Sequence, residues 1–416
     1  MLDINKIREE KEEVEKALLK RMAAKDLDLD AIIALDDTRR ELLQQAEALK
    51  AERNKFSKTK PDEQTIAKMR EIGDQIAKLD NQASQTEAEL KEKISELPNI
   101  PADDVLAGGK ENNKVIKTFG EKPAFKFKLK DHYELATELD IIDYERGVKI
   151  AGNGFWVYKG AGALLEWALL CYFVEFHRKN KYIFMIPPFL LTEQSAYTSG
   201  HLPKFRDDLF WTQDGLCLNA TSEMMLGNFH RDEILDGQKL PFKYCAYSAC
   251  FRREAGSYRK EERGMIRGHQ FNKIEMFHYA RPEQSPASFL ELVKNAEKLV
   301  EGLGLHYQSV LLAAGDASAG MAKTVDVEVW LPSMNTYKEV SSVSNATDYQ
   351  ARRGQVRFKN PRTGKNEFVH TLNASGLATS RLLPAILEQC QNKDGSVAVP
   401  KVLQKYCGLK KIEKNK

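Results

Sequence analysis

The sequence predicts an α+β body on an antiparallel sheet flanked by helices, preceded by an antiparallel helical coiled-coil arm. Three observations lead there. The first hundred residues hold 19 Lys+Arg, 23 Asp+Glu and one aromatic, Phe56, while the 416-residue chain holds 63, 60 and a further 36 aromatics. Within that first stretch apolar residues recur every seventh position. Beyond it, runs of adjacent strand-like segments alternate with long helical ones, the pattern of helices segregated from an antiparallel sheet. The expected domains are residues 1–105, with the arm at about 30–97, and residues 106–416.

The arm comes first. Leu35, Leu42, Leu49 and Phe56 form one seven-residue series. Met69, Ile76, Ala83, Leu90 and Leu97 form another, with Ile72, Leu79 and Thr86 beside it. Such a repeat keeps a narrow apolar stripe facing a partner helix. Between the series, Thr59 or Lys60 can cap a helix, Pro61 suits its first position, and Asp62 and Glu63 favour its N-terminus. Two arms of about 30 residues would then reach roughly 45 Å. Either a coiled coil for dimerisation or spacing, or an arm that touches a partner, has this pattern. Lys50, Arg53, Lys55, Lys58 and Lys60 near the tip favour a polyanion under the second reading. Pro98 and Pro101 end the helix, and a polar, glycine-bearing run leads into the body.

The body follows in order. Residues 161–178 read as a helix, and the apolar run 181–191, broken by Pro187 and Pro188, belongs at a sheet edge. Asp214-Gly215 marks a hairpin between two short strands. Residues 244–254 and 269–279 read as a strand pair joined by a charged loop, and 324–331 with 336–344 as another. Residues 367–372 lead into a helix. The start of the chain lacks an apolar leader core, and the most apolar stretch, 161–176, carries Glu166 and Glu175 and is too short to span a bilayer. The expectation is a cytoplasmic protein, not membrane-bound, with its six cysteines reduced. No Cys/His cluster has zinc spacing.

Two groups of residues invite chemistry. The period of two in a strand puts Arg252 and Glu254 on one face, and Phe271, Lys273 and Glu275 on one face of the returning strand. A solvated sheet face with cross-strand Arg–Glu pairs looks the same. Asn373 to Arg381 is a run of small residues read as a strand-to-helix turn where a ligand could approach the backbone.

Five ordered signatures decide between these alternatives. They are GHLPKF at 200–205, TSE at 221–223, and CFRREAG at 250–256 followed by RGMIRGHQFNKIE at 263–275. The last two are EVSSVSN at 339–345 with QARR at 350–353, and HTLNASGLATSR at 370–381. Together with the arm they resemble bacterial-type seryl-tRNA synthetases, which are class II aminoacyl-tRNA synthetases, along nearly the whole chain. The run at Pro188 resembles the family's dimer-forming motif.

The resemblance implies a serine–tRNA ligase that uses ATP and Mg2+, with no zinc. It would activate L-serine to seryl-adenylate and transfer it to the 3′ end of serine tRNA; whether selenocysteine tRNA is charged too is left open. It implies Arg252, Arg381 and Glu339 as catalytic residues. ATP would meet Arg252, Arg253, Glu254, Phe271, Glu339, Val340, Ser341, Ser342 and Arg381. Mg2+ would sit on Glu339 and Ser342. Serine would meet Thr221, Ser222, Glu223, Glu275, Asn373 and Ser375. Arg259, Lys260, Arg263 and Arg267 would meet the acceptor end, the arm would grip the tRNA's long variable arm, and the enzyme would be a homodimer. Departures from the family pattern are Ser222 for Ala, Arg253 for Ser, Val343 for Cys, Ala374 and Ser380 for Gly, and Pro384 inside a helix. A non-catalytic RNA-binding paralogue is the other class. Retention of Arg252, Glu275, Glu339 and Arg381 argues against it, and the arm argues against a paralogue that charges a carrier protein.

Overall fold

The computed structural model describes residues 1–56, 62–255 and 264–414. The chain divides into two compact units, Met1–Ile100 and Pro101–Lys416. The division falls between the two helix-ending prolines, where the sequence reading set it at residue 105.

In the first unit, α1 (Leu29–Phe56) and α2 (Glu63–Glu96) run against each other. Lys50 pairs with Asp80 at 3.2 Å and Lys68 with Glu52 at 3.2 Å, which fixes an antiparallel register. The α2 stripe is buried as its repeat predicts, at Ile72, Ile76, Ala83 and Leu90. On α1 the leucines of the repeat are only half-buried, while Ala46, between Leu42 and Leu49, is fully covered. The small side chain there lets the facing helix come close. Asp62, not Thr59 or Lys60, caps α2, accepting from the Thr65 amide at 2.8 Å. A carboxylate at that position satisfies an orphan amide and favours the positive helix end. Thr59, Lys60 and Pro61 lie outside the described residues. At the base of the arm Asp36 is fully buried among arginines: Arg8 at 3.1 Å, Arg39 at 2.8 Å and Arg40 at 2.7 Å.

The second unit is organised by an eight-stranded sheet. Its strands are β1 (Lys114–Phe119), β2 (Ile183–Met185), β3 (Phe242–Phe251), β4 (Gln270–Ala280), β5 (Tyr307–Leu311), β6 (Lys323–Leu331), β7 (Thr336–Thr347) and β8 (His370–Ala378). In space they run β1-β5-β6-β7-β8-β4-β3-β2. All neighbours are antiparallel except β2, the proline-flanked segment, which joins β3 in parallel at the edge. Proline cannot donate to a ladder, so the edge is where such a run fits. Three helices pack on one face of the sheet: α3 (Ala161–Lys179), α4 (Ser285–Leu303) and α5 (Thr379–Gln389). Their buried leucines meet Val325, Val327, Val343 and Ala374 from the sheet. The opposite face of β4, β6, β7 and β8 is polar, and the candidate site lies there.

Two residues read from the sequence as departures from the resembled pattern face each other in that core. Val343 on β7 is directly paired with Ala374 on β8, and both are fully buried. The six cysteines are all free thiols.

Candidate active site

The polar face is assembled by pairing register and two irregularities. Regular alternation would put Glu339 and Ser342, three residues apart, on opposite faces. A bulge at Val340 changes this: Ser342 pairs with Asp326 and Glu339 with Glu328, two positions of β6 that share a face. On β8 the register shifts between Ser375 and Ala378, with Leu377 at φ 78°. The small residues 373–378 are therefore strand rather than turn, and helix α5 begins only at Thr379. The smallness of Gly376 serves packing: a Cβ there would lie 2.6 Å from His177 Nε2, on the side away from the polar face.

One end of the site is a recess of carboxylates and their partners. Glu275 is fully buried, and Thr221, Glu223, Lys273, Gln350 and Asn373 nearly so. Asn373 Nδ2 donates to Glu223 Oε2 at 3.2 Å and to Glu275 Oε1 at 3.1 Å. Gln350 Nε2 donates to Glu223 Oε1 at 2.6 Å. Lys273 pairs with Glu275 and donates to Thr221 Oγ1 at 2.6 Å, while Ser375 Oγ lies 3.5 Å from the same ammonium. Burial, then Glu275, pushes Glu223 up to about 7, against the pull of Lys273, Gln350 and Arg252. Two buried carboxylates sharing one lysine have room for one more cation. Ser222 turns instead to Ser248, with Oγ atoms 2.7 Å apart.

The other end is cationic. Arg252 lies over the Phe271 ring, its guanidinium carbon 5.2 Å from the centroid, and its Nε donates to the Ala220 carbonyl at 3.3 Å. Glu254 pairs with Arg267. Strand β3 ends at Phe251 and Glu254 has φ 53°, so Arg252 and Glu254 reach the same cavity through a turn, not through strand alternation. Arg381, in the first turn of α5, meets the Glu339 carboxylate at 3.2 Å and its carbonyl at 2.8 Å. Burial opposes ionisation of Glu339, but Arg381 and Arg252 outweigh it and hold its pKa below the usual range. Arg252, Glu254, Phe271, Lys273, Glu339 and Arg381 line one cavity, so the structure gathers both sequence groups. A second cavity of about 360 Å³ adjoins it through Arg252, Glu254 and Arg267.

Four residues named from the sequence stand apart. Arg253 is exposed, and its backbone amide donates to the Asp208 carbonyl at 2.9 Å. Val340 is buried in the core on the far face, and Ser341 donates to the Ser375 backbone. The bulge that brings Glu339 and Ser342 together turns these two away. Ser222 has the partner given above. Arg259, Lys260 and Arg263 lie outside the described residues. Lys273, Gln350 and Asp326 are part of the arrangement as well. Alternation on β4 had placed Lys273 and the QARR signature held Gln350, neither with a role, and Asp326 was not named. His201 also lines the second cavity, its Nδ1 2.9 Å from Ser199 Oγ. Burial, with Arg252 and Lys273, pushes its pKa down to about 3, so the ring is neutral.

Comparison with known proteins places this arrangement. The sequence profile of the seryl-tRNA synthetase N-terminal domain matches residues 1–101, and that of the class II tRNA synthetase core domain (G, H, P, S and T) matches residues 205–390. Serine–tRNA ligase 2 of Clostridium acetobutylicum is 53% identical, the match covering 99% of this chain and 100% of that protein. The serine–tRNA ligase of Carboxydothermus hydrogenoformans is 45% identical over the whole of both chains. Among solved structures, seryl-tRNA synthetase from Pyrococcus horikoshii, complexed with ATP, superposes with a TM-score of 0.94 at 34% identity, covering 100% of each chain. With two-ended polar site, helical pair and sequence in agreement, the chain belongs to the seryl-tRNA synthetase family of class II aminoacyl-tRNA ligases.

Proposed function

We propose that the protein activates L-serine with ATP and transfers the resulting seryl group to the 3′-terminal ribose of serine tRNA. The observation that carries this reading is one continuous polar face with a buried carboxylate recess at one end and two separated arginines at the other. The serine carboxylate is already ionised, so attack on the α-phosphorus needs orientation and charge neutralisation rather than a general base. Arg252 holds the α-phosphate and Arg381 the γ-phosphate, leaving the Glu339 carboxylate as the triphosphate arrives. Phe271 stacks on adenine, with Glu254 accepting from its amine. Glu223 and Glu275 take the serine ammonium, with Thr221, Asn373 and Ser375 around the hydroxyl. A recess of paired polar groups rejects alanine, which would leave them unsatisfied.

The donor set fits Mg2+. Glu339 and Ser342 share a face, and among the described residues the neighbouring Asp326 keeps a buried Oδ1 without a hydrogen-bond partner. Oxygen donors of this kind suit a hard cation, which when bound would neutralise phosphate charge. The Leu164, Trp167, Ile183, Ile186 and Leu190 side chains on and beside α3 and β2 are large, apolar and exposed, a surface suited to a second copy of the chain. The arm reads the tRNA by backbone and shape, and selenocysteine tRNA is the further acceptor to try alongside serine tRNA. A cytoplasmic setting is consistent with the finding that, among the described residues, no helix is long and apolar enough to cross a membrane.

Serine-dependent ATP–pyrophosphate exchange tests the reading. Exchange is expected from the wild type and a loss of at least 100-fold from Arg381→Ala and from Glu275→Ala. A folded wild type that binds serine tRNA yet exchanges nothing would instead be a non-catalytic RNA-binding member of the family.

A further inference from the structure

Glu166 sits on α3, on the back of the sheet, and is only 3% exposed. An ionisable side chain is costly to bury, so its partners are informative. Its Oε1 accepts from Asn272 Nδ2 at 2.8 Å and from the Thr379 hydroxyl at 2.6 Å. The same hydroxyl reaches the Asn272 carbonyl at 3.0 Å. The other end of the Asn272 amide is fixed as well, Oδ1 accepting from the Tyr247 hydroxyl at 3.1 Å.

These partners have significant neighbours. Asn272 lies between Phe271 and Lys273 on β4, and alternation sends those two side chains to the polar face while Asn272 points to α3. Thr379 is the first residue of α5, two before Arg381. The Glu166 carboxylate therefore joins the strand bearing Phe271 to the helix start bearing Arg381. The junction needs such a tie. The β8–β4 ladder loses its regular register between Ser375 and Ala378, at the point where β8 passes into α5. It resumes with one pair, Ala378 opposite Lys273, directly before Thr379, so the Glu166 bonds reinforce a single strand pair at the helix start.

We propose that Glu166 is a positioning residue for the nucleotide half of the site, holding Phe271 and Arg381 at a set separation through Asn272 and Thr379. This rests on the ligase reading for its ligand, ATP. The serine recess is anchored separately, by Asn373, Gln350 and Lys273, so loss of Glu166 acts on the two substrates unequally.

The test measures KM for ATP and for serine in pyrophosphate exchange, with ATP affinity by calorimetry in the absence of serine. Glu166→Ala is expected to raise the KM and Kd for ATP tenfold or more while the KM for serine changes less than threefold. Glu166→Gln keeps an accepting oxygen of the same reach and is expected within threefold of wild type. Thr379→Val, which removes one arm of the clamp with little change of shape, is expected to repeat the ATP-selective defect. If Glu166→Ala does not fold, Glu166→Gln and Thr379→Val decide the matter. Unchanged ATP affinity in folded Glu166→Ala or in Thr379→Val, a parallel rise in the KM for serine, or a Glu166→Gln variant with a tenfold ATP defect would each overturn the proposal. Calorimetry needs no turnover, so a wild type that binds ATP without exchanging sinks the ligase reading and leaves the clamp to be judged on affinity.

Discussion

Glu223 shows how one buried residue ties stability to substrate binding. Its pKa of about 7 lies above the ordinary 4.5, so between those values the folded state holds a proton that the unfolded state has released. The sign follows: this group lowers stability progressively as pH rises from about 4.5 to about 7. Glu223→Gln is therefore expected to gain stability relative to wild type across that window, read from urea midpoints of the ligand-free proteins; a pH-independent difference would contradict the shift. The proposed serine ammonium prefers the ionised carboxylate, so the KM for serine in wild type is expected to fall as pH rises through about 7. A KM for serine that is flat from pH 6 to 8 would count against contact with Glu223. At this scale the sequence was partly legible. Lys273 and Glu275 followed from alternation along β4, whereas Gln350 reaches Glu223 from 127 positions away, and no local pattern records that.

Elements were read well where a period governs them and poorly where a single residue breaks it. The α2 heptad emerged at Ile72, Ile76, Ala83 and Leu90, with Met69, Leu79 and Thr86 half-buried, because a repeat along one helix needs only a facing partner. Asp36 was not anticipated, since a lone acid in a charged helix looks solvated. Its burial among Arg8, Arg39 and Arg40 makes it the polar centre of the arm's base. Asp36→Ala should destabilise the first unit by roughly 2 kcal/mol, below the cost of breaking a fully buried pair because the arginines keep access to water. Chemical denaturation of the full chain, followed by far-UV circular dichroism, checks this; an unchanged first transition would show the cluster to be dispensable. The bulge at Val340 is the opposite case. The sequence carries no glycine or proline there to mark it, yet it decides that Glu339 and Ser342 share a face.

At the scale of the whole molecule, two compact units correspond to two proposed tasks. Removing the arm between Leu35 and Leu90 and joining the helix stumps is expected to leave serine-dependent exchange within threefold of wild type and to cut serine tRNA charging by at least 100-fold. Charging that survives in a folded variant would refute the proposed use of the arm. The contrast behind this was present in the sequence: a charged, nearly aromatic-free hundred residues followed by an aromatic-rich remainder. Composition, period and ordered motifs determined the helical arm, the antiparallel body, the edge position of the proline-flanked strand and the family. Each is a local or repeated property of the chain. Tertiary structure decided which carboxylates are buried together, which polar residues face the site across a bulge, and that Val343 and Ala374 pack as a pair. Those outcomes depend on register between strands far apart in sequence, and register is set only when the sheet closes over its core.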